Sequence, residues 1–143
     1  MLKGIPSILS PELMKIMLEM GHGDELVIAD GNFPAASCAK RLVRSDGHGA
    51  VELLEAILPF FPIDTYVEKP ISLMEVVPGD STTPVIWDEY KQIIKKNEPA
   101  FEEFQMIERF DFYERAKGAY AIVATSEQAL YANIIFKKGV VSR

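Results

Sequence analysis

Two histidines, each placed between two glycines, are the side chains of this chain best suited to proton transfer. His22 lies in the run EMGHGDELVIAD and His48 in RSDGHGAVEL, and there is no third histidine. Imidazole exchanges protons near neutral pH, and flanking glycines let a ligand approach the backbone closely. Both are therefore candidates for acid–base chemistry, while the plainer interpretation is that each occupies an ordinary glycine turn.

Helix ends distinguish the two histidines. Apolar spacing predicts a helix over 11–20, ended by Gly21 as a left-handed cap. His22 then follows a helix C-terminus, whose unpaired carbonyls favour imidazolium. His48 precedes a helix predicted at 50–58, and the dipole at the N-terminus of that helix disfavours imidazolium. On this argument His22 is the better proton donor.

Polar groups suited to a polyhydroxylated ligand follow one predicted strand and precede another. Asp30 ends the apolar strand 25–30, and ligands of α/β sheets gather beyond carboxyl ends of strands, although Asp-Gly-Asn is also a common turn. Tyr131 and Asn133 combine a ring that packs on a sugar face with an amide that donates and accepts.

A straight strand puts His22 and Asp30 near its opposite ends. They share a ligand only if the chain bends or a neighbouring subunit completes the site.

The remaining pattern alternates strands with helices. Further strands are predicted at 41–44, 71–77, 120–125 and 133–138, and further helices at 83–97 and 112–119. This alternation predicts an α/β single domain in which a layered mixed sheet is flanked by helices. The short link between the last two strands allows them to pair antiparallel. Trp87 falls on a helix, where packing is a more common role than a sugar platform.

Composition excludes several classes of protein and site. The 143 residues carry a net charge of −6 with no long Lys/Arg cluster, so neither nucleic acid nor an anionic membrane is an expected partner. Cys38 is the only cysteine, so neither an intrachain disulfide nor a cysteine-rich metal site is possible. No signal peptide, membrane-spanning run, phosphate loop or HExxH motif is present, and we expect a soluble cytoplasmic protein.

Three stretches carry a family resemblance that covers nearly the whole chain. They are SPELMKIMLEMGHGDELVIADGNFPA, RFDFYERAKGAYAIVAT and YANIIFKKGV. In this order and spacing they resemble the L-fucose mutarotase family, which is grouped with the D-ribose pyranases. The resemblance implies one mutarotase-like domain over 1–143 that interconverts the anomers of a free monosaccharide without metal or organic cofactor. It also implies a homo-oligomeric ring, often a decamer, with sites at subunit contacts.

Matched by position, the resemblance assigns roles to single residues. The family's proton donor falls on His22. Its substrate-binding residues fall on Asp30, Arg109, Tyr131, Ala132 and Asn133. The family often has glycine where this chain has Ala132, and a backbone contact there is kept if φ is negative. The resemblance gives His48 no role, and without it Arg109 belongs to an amphipathic segment with paired surface charges.

Other functions fit the same residues. D-ribose pyranase activity is the nearest alternative, and an apolar wall near the site would favour fucose, because fucose carries a methyl group that ribose lacks. A non-catalytic monosaccharide-binding module uses nearly the same contacts. A purely structural oligomer-forming domain is a third possibility.

Overall fold

One mixed six-stranded sheet forms the centre of the computed structural model, which describes residues 1–143. The strands are β1 (Glu25–Ala29), β2 (Leu42–Ser45), β3 (Ile71–Met74), β4 (Gln105–Ile107), β5 (Ala121–Thr125) and β6 (Ile134–Lys137). The helices are α1 (Pro11–Glu19), α2 (Ala35–Cys38), α3 (Ala50–Ile57), α4 (Ile86–Asn97) and α5 (Arg109–Gly118). None of these helices combines the length and apolar character needed to cross a membrane.

The direction of one strand defines the two edges of the sheet. The strand order is β2-β5-β1-β6-β3-β4. β6 is antiparallel to both of its neighbours, β1 and β3, whereas every other pair is parallel. Five strands therefore have their C-terminal ends on the same side of the sheet, here called its carboxyl edge, and β6 begins there.

Helices cover both faces of the sheet. α1, α3 and α4 enclose the larger of two apolar cores, and α2 and α5 enclose the smaller one. Along β1, Leu26 and Ile28 face the larger core while Val27 and Ala29 face the smaller, as the two-residue period of a strand requires. This arrangement confirms the predicted α/β fold, a mixed sheet flanked by helices.

The sheet differs from the expected one in the placement of its last two strands. β5 and β6 run in opposite directions but do not pair, because β1 lies between them and bonds to both. The apolar residues of β1 are buried on both faces, which suits a central strand. The predicted pairing is therefore wrong. The sequence also missed α2 and β4, which are too short to show a period.

The turn after α1 is built differently from the predicted left-handed cap. The helix ends at Glu19 and Met20 is extended. Gly21 does not have a positive φ. Its N–H donates to Asp24 Oδ2 at 2.7 Å and its carbonyl accepts from the Asp24 N–H at 3.2 Å. The left-handed residue is Gly23, with a φ of +86°. The prediction for Gly21 is therefore wrong.

Two side chains of α4 hold the chain just before β6. The hydroxyl of Tyr90, which is fully buried, donates to the Ala132 carbonyl at 2.7 Å. The indole of Trp87 donates to the Tyr131 carbonyl at the same distance. Burial raises the pKa of Tyr90, so its hydroxyl keeps the proton that it donates. Trp87 thus packs against the core and holds the backbone of Tyr131.

Replacing Tyr90 by phenylalanine tests this support. Tyr90→Phe leaves the buried Ala132 carbonyl without its donor, so we expect the free energy of unfolding to fall by about 1–3 kcal/mol. Tyr120→Phe is the matched control, because its hydroxyl contacts Glu19 at the surface, and it should change stability by less than about 0.5 kcal/mol. Urea denaturation measures both, and equal losses would contradict a supporting role for Tyr90.

Candidate active site

A small cavity at the carboxyl edge of the sheet collects four of the predicted sugar-binding residues. They are Asp30, Arg109, Tyr131 and Asn133. β1 and β4 end just before the first two, and the antiparallel β6 begins just after the last two. The cavity volume of about 210 Å³ is below the roughly 300–1,000 Å³ of pockets for drug-sized ligands. Its size therefore suits a small ligand.

Asp30 and Asn133 are fixed to each other at the floor of this cavity. The Asp30 N–H donates to Asn133 Oδ1 at 2.8 Å, and Asp30 Oδ1 accepts the N–H of Asn32 at 3.0 Å. Both side chains are buried. Burial raises the pKa of Asp30, and hydrogen bonds from neighbouring backbone and from Asn133 offset only part of that effect. The carboxyl group therefore lies at the floor of the cavity in a place that disfavours its charge.

Tyr131 is held in a strained backbone conformation. Its φ is +58°, a region that costs a non-glycine residue about 1–3 kcal/mol and that occurs often at functional sites. Its hydroxyl donates to Asp80 Oδ2 at 2.6 Å and accepts the Val77 N–H at 3.3 Å. The bond to Asp80 raises the pKa of Tyr131, so the phenol stays protonated. With the Trp87 contact, these bonds fix the ring at the mouth of the cavity.

Ala132 stands where the resembled family often has glycine, so its backbone conformation decides whether a side chain fits there. The residue is buried and its φ is not positive, because the left-handed conformation falls on Tyr131 instead. A Cβ at this position therefore costs no backbone strain. Its carbonyl is already occupied by Tyr90.

Arg109 is exposed beside the cavity at the N-terminus of α5. Its Nε donates to the Tyr113 hydroxyl at 3.2 Å, and its guanidinium carbon lies 5.5 Å from the centroid of that ring. The terminal nitrogens make no hydrogen bond within the chain. They are therefore free to donate to a ligand.

An apolar wall completes the lining of the cavity. It consists of Phe33, Met74, Val77 and Leu130. These side chains come from the loop after β1, the end of β3 and the turns on either side of the cavity. The cavity thus pairs a polar floor with an apolar side.

His22 lies at the opposite edge of the sheet and does not reach the cavity. It precedes β1 whereas Asp30 follows it, and the five residues of that strand span roughly 17 Å. The ring Nε2 lies 3.0 Å from Oδ1 of Asp64. One chain therefore does not bring the predicted proton donor together with the predicted sugar-binding residues.

His48 is near neither group. Its Nδ1 lies 3.2 Å from Oε1 of Glu52 at the exposed N-terminus of α3. Ser126 donates its N–H to the His48 carbonyl, so the triplet forms a loop leading into the helix.

Two acidic residues of these regions were missed in the sequence. Asp80 follows Pro78-Gly79, a signal that indicates only a turn, and Asp64 ends the apolar run PFFPID. Each acquires its role from a partner distant in sequence, Tyr131 and His22 respectively. No local pattern in one sequence marks such pairs.

Comparison with known proteins assigns the chain to a family. The model of the RbsD / FucU transport protein family matches residues 3–141. The chain belongs to that family. Human fucose mutarotase is 51% identical over 99% of this chain and 95% of its own length. The crystal structure of the Streptococcus pneumoniae fucose mutarotase in complex with L-fucose has a TM-score of 0.95 and 53% identity, covering 99% of this chain and 100% of that one.

A second solved structure of the RbsD / FucU family gives the same match. FucU from Bifidobacterium longum has a TM-score of 0.95 and 56% identity, covering 98% of this chain and 100% of its own. The matched length includes the cavity at one edge of the sheet and His22 at the other. Both regions therefore belong to the part of the chain that the family shares.

The burial of Asp30 predicts a pH dependence of stability. Its pKa in the folded protein lies above the ordinary value of 3.8, so its contribution to stability is greatest below that pH and is lost as the pH rises through the folded pKa. We expect Asp30→Asn to gain stability relative to wild type over that window. Urea denaturation at a series of pH values measures the difference.

Asp46→Asn is the control for this prediction. Its exposed carboxylate has a pKa lowered by its hydrogen bond from Arg44, so wild type should be more stable than this variant above pH 3.8 and should lose that advantage as the pH falls through the folded pKa. Parallel pH curves for the two variants would contradict the assignment of the effect to the buried Asp30.

Proposed function

We propose that this chain is an isomerase that interconverts the α and β anomers of L-fucose. The observation that carries the proposal is the convergence of Asp30, Arg109, Tyr131 and Asn133 on one small cavity with an apolar wall. Relatives about half identical over nearly the whole length are named fucose mutarotases, and this agrees with it. A cytoplasmic location and a single mutarotase domain over 1–143 are part of the same proposal.

The lining of the cavity favours L-fucose over D-ribose. Carboxylate, guanidinium, phenol and amide groups supply donors and acceptors for ring hydroxyls. Phe33, Met74 and Val77 offer apolar surface to the methyl group of fucose, and ribose has no such group to bury. Each buried methyl group contributes about 0.8 kcal/mol. The wall therefore distinguishes the two sugars in the expected direction.

The proposed chemistry opens and closes the pyranose ring. His22 protonates the ring oxygen as the bond between that oxygen and the anomeric carbon breaks, and it recovers a proton from the anomeric hydroxyl. The aldehyde so formed rotates and closes on its other face by the reverse steps. The cavity residues meanwhile hold the remaining hydroxyls, so that only the anomeric end moves.

A neighbouring subunit would supply His22 to each cavity. Exposed apolar side chains flank both halves of the site: Phe110 (64% exposed) and Leu130 (54%) near the cavity, and Tyr66 (75%) beside His22. Large exposed apolar side chains near a functional site are typical of a surface that another chain covers. We propose a homo-oligomeric ring, of decameric size, in which the two edges of the sheet meet between subunits.

Anomer exchange measured by NMR tests the function. We expect the wild-type protein to accelerate exchange of L-fucose more than that of D-ribose, and His22→Ala to reduce the acceleration roughly 10²–10⁴-fold. His48→Ala is the matched control and should retain full activity, because His48 lies on an exposed loop away from both halves. Binding of L-fucose without any acceleration would instead support a sugar-binding module.

Mixed assemblies test whether two subunits share the site. His22→Ala and Arg109→Ala subunits are co-expressed at equal amounts, and we expect about a quarter of the wild-type sites to be restored, those pairing an intact cavity with an intact histidine. If each site lay within one chain, the mixture would show only the summed residual activities of the two variants.

A further inference from the structure

His22 has one hydrogen-bond partner within the chain, and that partner is buried. Nε2 of His22 lies 3.0 Å from Asp64 Oδ1, which also accepts the Tyr66 N–H at 3.0 Å. The Asp64 side chain is only 3% exposed, whereas that of His22 is 43% exposed. The histidine thus presents one nitrogen to a fixed carboxylate and the rest of its ring to the surface.

The charge of Asp64 determines which nitrogen of His22 carries hydrogen. Burial by itself raises the pKa of Asp64. The Tyr66 N–H, His22 and Lys137 together lower it by more, so the pKa lies below its ordinary value. Asp64 is therefore ionised at neutral pH. An ionised carboxylate only accepts hydrogen bonds, so Nε2 of His22 must be the donor, and Nδ1 remains without a partner in the chain.

The end of β6 holds both members of this pair in place. On one side the Gly23 N–H donates to the Lys138 carbonyl, and the Lys138 N–H donates to the Asp24 carbonyl, each at 2.8 Å. On the other side the Asp64 N–H donates to the Lys137 carbonyl at 3.0 Å. Backbone bonds thus hold in place the two segments that carry the pair.

Gly139 permits the close passage of the segment that carries Asp64. A Cβ at this position would lie 2.6 Å from the Ile63 carbonyl oxygen and 2.8 Å from the Asp64 Cα. Both are backbone atoms, so a side chain there would push the segment away. The approach of Asp64 to His22 therefore depends on a glycine.

We propose that Asp64 is a positioning residue that keeps the hydrogen of His22 on Nε2 and so makes Nδ1 the nitrogen that exchanges a proton with the sugar. The proposal rests on the function proposed above and specifies how its proton donor works. Orientation of a functional histidine by a carboxylate on its far nitrogen is an arrangement that recurs in proteins.

The proton balance is the same in both directions of the reaction. Nδ1–H of imidazolium gives its proton to the ring oxygen, which takes the electron pair of the breaking bond to the anomeric carbon. Nδ1, now bare, takes the proton of the anomeric hydroxyl as the carbonyl forms, and no proton is gained or lost overall. Nε2–H stays on Asp64 throughout, and the carboxylate stabilises the imidazolium state.

The tautomer of His22 is the direct test, and the chain is well suited to it. With only two histidines, long-range ¹H–¹⁵N spectra of the imidazole rings contain two sets of signals, which His48→Gln assigns. In the wild-type protein we expect neutral His22 to carry hydrogen on Nε2. In Asp64→Asn, whose amide both donates and accepts, we expect a mixture of tautomers. A wild-type His22 with hydrogen on Nδ1 would overturn the proposal without any variant.

The pH profile of exchange supplies the second readout. Removing the carboxylate should lower kcat roughly tenfold or more with little change in KM, and should move the alkaline limb of the kcat profile, where the imidazolium proton is lost, to lower pH. The other groups facing the pair are Tyr66 and Lys137, while the Asp24 carboxylate bonds the Gly21 N–H in the same turn as His22, and this variant leaves all three unchanged. Glu52→Gln makes the same carboxylate-to-amide change beside His48 and should leave kcat and the profile unaltered.

The outcomes separate this proposal from the function on which it rests. A wild-type protein that does not accelerate exchange refutes the function, while the tautomer of His22 still decides the pairing with Asp64. An Asp64→Asn protein with wild-type thermal unfolding, kcat and pH profile refutes the positioning role. If that variant does not fold, the tautomer in the wild-type protein decides alone.

Discussion

The hydrogen-bonded position of β6, antiparallel between β1 and β3, is the constraint on which both halves of the site depend. Its N-terminal end brings Tyr131 and Asn133 to the edge where β1 delivers Asp30. Its C-terminal end, continued to Gly139, bonds the loop of His22 and the segment of Asp64. A parallel β6 would put its two ends at the wrong edges, and neither group of side chains would assemble.

Several features at the cavity oppose stability and are offset by their surroundings. Tyr131 occupies a left-handed backbone conformation, and Asp30 is a carboxyl group in a buried position. The bonds from Trp87, Tyr90 and Val77 hold the strained segment, and the bond from Tyr90 also satisfies the buried Ala132 carbonyl. Such local costs are typical of binding sites that must present polar groups in fixed directions.

Elements set by local interactions were predicted better from the sequence than the pairing of strands that lie far apart in the chain. α1, α3, α4 and the central strands were placed within a few residues, because their apolar periods and caps are local. The cavity residues Asp30, Arg109, Tyr131 and Asn133 were assigned by family resemblance, and the structure brings them together. The neighbours of β5 and β6 were assigned wrongly, because pairing depends on which strand is buried on both faces.

The sequence by itself determined the elements and the candidate chemistry: two histidines, one favoured as a proton donor, and a polar group at each end of a strand. It also indicated that His22 and Asp30 lie too far apart to share a ligand within a straight chain. Only the tertiary structure decided that Asp64 pairs with His22 and Asp80 with Tyr131. These contacts join residues 42 and 51 positions apart, and distances of that kind are set by the packing of the whole sheet.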